Sequence, residues 1–446
     1  HRVKELNPAA EVTILEASSR LGGTIQTEYR DGFLLERGPD SFISEKPHAI
    51  ALAKRLGLES QLIQTNEEYR RSFIVRDGRL RAVPEGFQLM APSRMWPFIT
   101  SDIFSLAGKA RMAADLLLPR RTSNGSTDES LASFVRRRLG KEALARMAQP
   151  MVGGIYTADP ETLSLRATLP RFLDMEQKHR SLILAMLRQG RTQKTGTSGA
   201  RYSLFLSFER GMQVLVDALT QLTRMNADLR LKTRAQRLTF DRGWRIYTDK
   251  EEQFEADAVC LAVPAYVAAS LLDGTHERLA QKLRQIKYAS TATINFGYRR
   301  AAIKHPLNGF GFVVPFIEKR SLIACTFSNV KFSGRAPEGH VLLRAFAGGA
   351  LQPEIFALDE AEMSRRVEAD LRELLGISED PRFIEVAKWE RSMPQYEVGH
   401  LERVEEIEAL VNQLPGLALA GNAYRGAGIP DCVRSGEAAA EFLVRA

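Results

Sequence analysis

Apolar residues recur along this chain with two periods, and the switches between them outline its elements. "EVTILE" (11–16) is apolar and β-branched, which predicts a strand ending on Glu16. "GFLLERGPDSF" predicts a short strand running into a turn at Gly38–Ser41. Lys46–Leu58 has helical spacing, with Pro47 early and Gly57 as a stop. Arg70–Pro84 reads as a hairpin folded about Asp77–Gly78. Phe87–Pro119 is apolar and Met-rich. "TDESLASFVRRRLG" then predicts a helix capped by Thr127 or Asp128 and stopped at Gly140. Helical spacing continues to about residue 187, and the polar Gln189–Arg201 predicts a mobile loop.

The second half returns to strands. "FERGMQVLVDALTQLT" is helical, and "DLRLKTRAQRLTF", "WRIYTD" and "ADAVCLAVPA" read as strands. The last is a continuous apolar run to Pro264, as expected of a buried parallel strand. "STATINFGYRR", "GFGFVVPF", "SLIACTF" and "HVLLRAFAGG" suit an antiparallel sheet. "DEAEMSRRVEADLRELLG" is an amphipathic helix, and "GLALAGNAYRGAGIPDCVRSGEAAAEFLV" is a strand, a glycine loop and a helix. Parallel-type α/β elements at the start, middle and end enclose a helical block and a β-rich block. The pattern predicts an α/β fold with α+β insertions: one discontinuous nucleotide-binding, Rossmann-like domain interrupted twice.

Length and composition narrow this. The 446 residues suit two or three domains, and a 44% hydrophobic fraction supports a sizeable core. The net charge of +8 comes from 62 basic and 54 acidic residues scattered along the chain. Nucleic-acid binding would need a denser basic stripe and is not expected, whereas an anionic small molecule suits a basic pocket. Cys260, Cys325 and Cys432 are far apart and odd in number, which excludes a disulfide framework or a Cys-rich zinc site and fits a reducing compartment. The His residues show no ligand spacing, and His48, His179, His276 and His340 read as surface residues; no metal is expected. No apolar run reaches ~18 residues, so no transmembrane helix is expected, nor is a signal peptide.

Candidate chemistry sits in two segments. In a dinucleotide fold a strand-end acid such as Glu16 accepts from ribose hydroxyls; alone, it could equally be a solvated strand end. Arg20 stands four residues on and can reach a phosphate bidentately. Gly22–Gly23 lets backbone N–H groups approach a diphosphate, and the bland alternative is a tight turn. At the other end Gly421–Asn422 closes an apolar strand, with Gly426, Gly428 and a helix from near Asp431 following. That helix start can receive an anion or an electron-rich oxygen, and Asn422 can bond a phosphate or hydroxyl; the alternative is a plain strand–loop–helix crossover.

Together with "VGGIYTADPETLSLRATLPRFLDMEQKHRSL", "FLSFERGMQVLVDAL", "LNGFGFVVP", "FSGRAPEG", "MPQYEVGH" and "GNAYRGAGIPDCVRSGE", these segments resemble the FAD-dependent amine oxidase superfamily over essentially the whole chain. The nearer likeness is its protoporphyrinogen and coproporphyrinogen III oxidase branch. The resemblance implies a noncovalent FAD and a haem-biosynthesis oxidase that turns a porphyrinogen into the porphyrin, with O2 as acceptor and peroxide as product. It implies a hydride passed to flavin N5 and no catalytic acid or base from the protein. By likeness, Glu16 holds the adenosine ribose; Arg20, Gly22 and Gly23 follow the diphosphate; Ala235 meets adenine; Gly421, Asn422 and Val433 lie near the ribityl chain and ring. Arg71 would bind a propionate, and Gly154, Phe310, Gly311, Val313 and Phe332 would grip the macrocycle. Phe310, Phe312 and Phe332 could as well be core. The implied division is 1–62, 205–265 and 395–446 for FAD, 63–89 and 266–394 for substrate, and 90–204 as a helical, membrane-facing part. The implied location is cytoplasmic, peripheral on the inner face of the cell membrane.

The likeness has one departure. The family opens on a strand and a Gly-x-Gly-x-x-Gly turn, and this sequence begins after it; a chain without it would lack an edge-defining strand and much FAD affinity. Rival readings are another amine oxidase or desaturase of the superfamily, a noncatalytic tetrapyrrole-binding chain, and a membrane-surface module using Met90, Met95, Trp96, Pro97 and Phe98. Four propionates rather than two would ask for more cations at the pocket rim, for which Arg70, Arg71, Arg76 and Lys178 are available. Nothing in the sequence sets an oligomeric state.

Overall fold

The computed structural model of the chain describes residues 1–88, 90–121, 128–192 and 205–445. In chain order the strands begin with β1 (Thr13–Glu16), β2 (Thr27–Arg30), β3 (Phe33–Glu36), β4 (Phe42–Ile43), β5 (Leu62–Gln64), β6 (Phe73–Arg76) and β7 (Arg79–Ala82). They continue with β8 (Phe87–Gln88), β9 (Ala91–Pro92), β10 (Phe205–Phe208), β11 (Asp228–Leu231), β12 (Ala235–Phe240), β13 (Trp244–Thr248), β14 (Gln253–Ala256) and β15 (Val259–Leu261). The last are β16 (Tyr288–Arg299), β17 (Gly311–Val313), β18 (Ala324–Phe327), β19 (His340–Gly348), β20 (Phe383–Pro394) and β21 (Leu417–Leu419).

Two two-stranded ribbons are wholly parallel. β1 pairs with β11, from Thr13 opposite Asp228 to Glu16 opposite Leu231, and β15 pairs with β21. Leu15, Val259 and Leu419 pack on one apolar cluster, so the ribbons share a core although they do not share hydrogen bonds. The apolar run toward Pro264 gives a shorter strand than its length predicts, and Cys260 within it is exposed. The larger sheet has seven strands in the order β20-β16-β19-β18-β17-β6-β7. The hairpin β6–β7 turns at Asp77 and Gly78, both with positive φ (51° and 70°), and joins this sheet parallel to β17. Chain from either side of the helical block thus meets in one sheet.

The helical block has its own core of Leu, Met and Phe, on which Val313 of β17 also packs. The helix Leu131–Arg138 begins one turn later than expected. Ser130 caps it by accepting from the Ser133 amide at 3.1 Å, while Asp128 turns away to the Ser164 hydroxyl. Thr127 lies outside the described residues. The helix Leu182–Thr192 occupies the start of the expected loop, and 193–201 of that loop lies outside the described residues. Among the described residues no helix is long and apolar enough to cross a membrane.

Candidate functional site

Glu16 closes β1 half-buried, and its carboxylate accepts from the Ser18 amide at 2.7 Å. Its carbonyl accepts from the Thr233 amide at 2.9 Å, which draws the β11–β12 turn, and with it Ala235 at a bulge in β12, to the same strand end. Arg20 folds over the glycine turn: it donates to the carbonyl of Gly23 at 2.7 Å and to that of Ile25. Its guanidinium therefore shapes the turn, rather than standing extended toward a phosphate. Gly22 (φ +100°) backs onto Val216, where a Cβ would lie 2.7 Å from a side-chain methyl. Gly23 (φ +55°) differs: a Cβ there would meet nothing within 4 Å, so this edge of backbone is open.

The C-terminal loop shows the same contrast. Gly421 (φ +116°) faces open space, while a Cβ on Gly426 (φ +136°) would lie 2.3 Å from Asp431 Cγ. Asp431 stands in the first turn of the helix Ile429–Arg445 and binds Lys46 Nζ at 2.6 Å, so the helix start carries its own acid. Asn422 aims its amide at the Ser392 carbonyl, 3.3 Å away. Val433 and Ile25 lie against one apolar cluster, which brings the N-terminal turn to the C-terminal helix. Tyr396 stacks on His400 with centroids 4.1 Å apart. Burial pushes the His400 imidazole down to about 4, so it is neutral, and its Nε2 donates to the Tyr424 carbonyl at 2.8 Å. Burial, and then the Asp431 carboxylate, push the Tyr156 hydroxyl up to about 12.

On the proposed substrate side the structure brings together some residues and separates others. Gly154 lies over Val313, where a Cβ would sit 3.7 Å from the valine. Arg71 is exposed and donates to the Asn308 carbonyl, and its own carbonyl accepts from the Phe310 amide at 2.9 Å. Gly311 (φ +144°) is pressed against β18, with a Cβ position 2.1 Å from the Cys325 carbonyl oxygen. Phe310, Phe312 and Phe332 are each 2% exposed, so here they are core and not an open wall. Phe332 lies beside Lys331 and Arg335, whose cations stand over its ring. Of the five apolar candidates for a membrane surface, Met90 and Phe98 are core, whereas Trp96 is exposed.

Sequence reasoning missed a buried charged cluster that answers why a Gly-Pro-Asp-Ser turn follows β3. Asn295 and Arg344 are partners across β16 and β19, and both donate to the Glu36 carbonyl, at 3.3 and 3.1 Å. Arg344 also reaches the Gly38 carbonyl, and Lys331 binds Asp40 at 2.8 Å. Burial alone would raise Asp40, but Lys331 and Arg344 outweigh it and hold the carboxyl well below the carboxylate range. The available signal was an Arg and an Asn at mid-strand positions in otherwise apolar runs. Among the described residues no group of three His, Cys, Asp or Glu could hold a metal.

The residues present fit an extended dinucleotide. An acid ends a parallel strand, two glycine edges are open at Gly23 and Gly421, and the segments carrying them share cores. Comparison with known proteins agrees. The model of a family described as flavin containing amine oxidoreductase matches residues 4–443. A coproporphyrinogen III oxidase of Bacillus subtilis is 36% identical, over 98% of this chain and 92% of that one. A chloroplastic protoporphyrinogen oxidase of Nicotiana tabacum is 29% identical over 94% and 78%. A crystal structure from Exiguobacterium sp. 255-15, assigned as a protoporphyrinogen oxidase, superposes with a TM-score of 0.88 at 30% identity, covering 100% of this chain and 95% of that one.

Proposed function

Because this chain belongs to the flavin containing amine oxidoreductase family, we propose that it is an FAD-dependent oxidase of haem biosynthesis that converts coproporphyrinogen III to the porphyrin. Protoporphyrinogen IX is the second reading, favoured by the likeness to the tobacco enzyme. O2 is the proposed electron acceptor and peroxide the product. The observation that carries the reading is the strand-end acid Glu16 with the open glycine edges at Gly23 and Gly421, which suit the dinucleotide this family uses.

Glu16, Ala235 and the open edge at Gly23 would hold the adenosine and diphosphate, and Gly421, Asn422 and Val433 the ribityl end. FAD, when bound, supplies the two-electron acceptor that no side chain of this protein can replace. The protein's own work is binding and orientation. Arg71, exposed, would fix a propionate, and Gly154 with Val313 would let a flat ring approach. No side chain is assigned as acid or base.

The proposed division of the chain is that of the sequence pattern: 1–62, 205–265 and 395–446 around FAD, 63–89 and 266–394 around substrate, and 90–204 as the helical part. That part exposes Trp96, Leu106 and Leu117 at 74%, 83% and 81%, which supports a peripheral seat on a lipid surface. The test is porphyrin fluorescence with each porphyrinogen, measured together with O2 uptake and peroxide. Porphyrin formed from coproporphyrinogen III with peroxide released supports the proposal; no porphyrin from either substrate sinks it.

A further inference from the structure

Tyr396 and His400 belong to no step above, yet they are among the most enclosed polar side chains near the C-terminal loop. Tyr396 is 3% exposed and His400 fully buried. The Tyr396 hydroxyl donates to the Asn422 carbonyl at 2.5 Å and accepts from the Gly426 amide at 3.0 Å. One oxygen therefore fastens both ends of a five-residue span. His400 grips the same span a third time, at the Tyr424 carbonyl, 2.8 Å from its Nε2. All three bonds go to backbone, so they set the path of the loop whatever its side chains are. The stack of Tyr396 on His400, tilted only 14°, fixes the direction in which the hydroxyl points.

The loop needs such a brace. Gly426 within it and Gly421 just before it have positive φ, and Gly421 has open space beside it, so local sterics leave its path loosely defined. Arg434 also donates to the Arg425 carbonyl at 2.9 Å, but only Tyr396 bonds the backbone at both ends of the span among the described hydrogen bonds. We infer that Tyr396, braced by His400, is the positioning residue that holds the Asn422–Gly426 loop in the shape that receives the flavin. The inference rests on the FAD reading above and adds to it a residue that acts through the loop and not on the substrate.

The test is titration of the flavin-free full chain with FAD, read by quenching of flavin fluorescence, for the wild type, Tyr396→Phe and His400→Phe. Tyr396→Phe keeps the ring and the stack and strands the Asn422 carbonyl; FAD affinity should fall about tenfold or more, with an altered flavin absorption band. His400→Phe keeps a stacked ring and loses the Tyr424 bond; a loss of about threefold or more is expected. Tyr298→Phe is the control, since its buried hydroxyl has no hydrogen-bond partner among the described residues, and it should stay within twofold of wild type. Wild-type affinity in Tyr396→Phe overturns the inference and leaves the FAD reading standing. A wild-type chain that binds no FAD overturns both. If Tyr396→Phe does not fold, His400→Phe decides, and unchanged affinity there overturns the inference.

Discussion

Glu36→Gln should make the protein markedly more stable above pH 7 and change it much less at pH 5. Glu36 ends β3 at 3% exposure. Its two carboxylate oxygens accept from the Met212 amide and the Thr27 hydroxyl, each at 2.8 Å. Arg335 and Arg344 are near, but their donors go to carbonyls and the Ser207 hydroxyl and not to this carboxylate. Burial therefore prevails and raises Glu36 from 4.5 to about 7. The unfolded chain releases this proton near 4.5, and the folded chain holds it until about 7. Between those values only the folded state is protonated, so stability falls by about 1.4 kcal/mol per pH unit, or about 3 kcal/mol in all by pH 8. The contribution is fully present below 4.5 and lost as pH rises through 7. Glutamine cannot ionise, its carbonyl still serves Met212, and its amide can donate to Thr27 Oγ1. Urea unfolding followed by tryptophan fluorescence at pH 5 and pH 8 gives the difference directly. The expected gain is about 3 kcal/mol at pH 8 and under about 1 kcal/mol at pH 5. The same offset at both pH values would refute the reasoning, because it would mean that Glu36 does not titrate there.

Other consequences are quicker to check. Lys331→Met leaves Asp40 buried with less compensation and should cost about 3–5 kcal/mol in urea unfolding, part of it recovered by adding Asp40→Asn. Gly311→Ala puts a Cβ on the Cys325 carbonyl at a left-handed φ; a loss above about 2 kcal/mol, or insoluble protein, is expected. Arg71→Ala should raise KM for a carboxylated porphyrinogen about tenfold with kcat nearly unchanged, and a fall in kcat alone would contradict a binding role. Trp96→Ser with Leu117→Ser should lower co-sedimentation with anionic lipid vesicles, and unchanged binding would remove the membrane-surface proposal.

The strand ending at Glu16, the hairpin at Asp77–Gly78 and the terminal strand–loop–helix were all legible, because each is fixed by local pattern and turn chemistry. The helix cap was not. Asp128 and Ser130 are both good caps by type, and Ser164, thirty-four residues past Ser130, decides by claiming Asp128. Long-range pairing likewise hid the partnership of Asn295 with Arg344, which neither strand reveals alone. The open edges at Gly23 and Gly421 also needed coordinates, since sequence shows a glycine but not whether its vacant side faces a neighbour, as at Gly22, or space. Phe310 and Phe332 were undecided between wall and core, and burial makes them core here.

The most direct measurement is an anaerobic mixing experiment. The chain is loaded with FAD and mixed with excess coproporphyrinogen III while flavin absorbance and porphyrin fluorescence are followed together. The flavin band should bleach, and admitting O2 should restore it with continued porphyrin formation. A flavin-loaded chain that keeps its band in the presence of both porphyrinogens would contradict the proposed function.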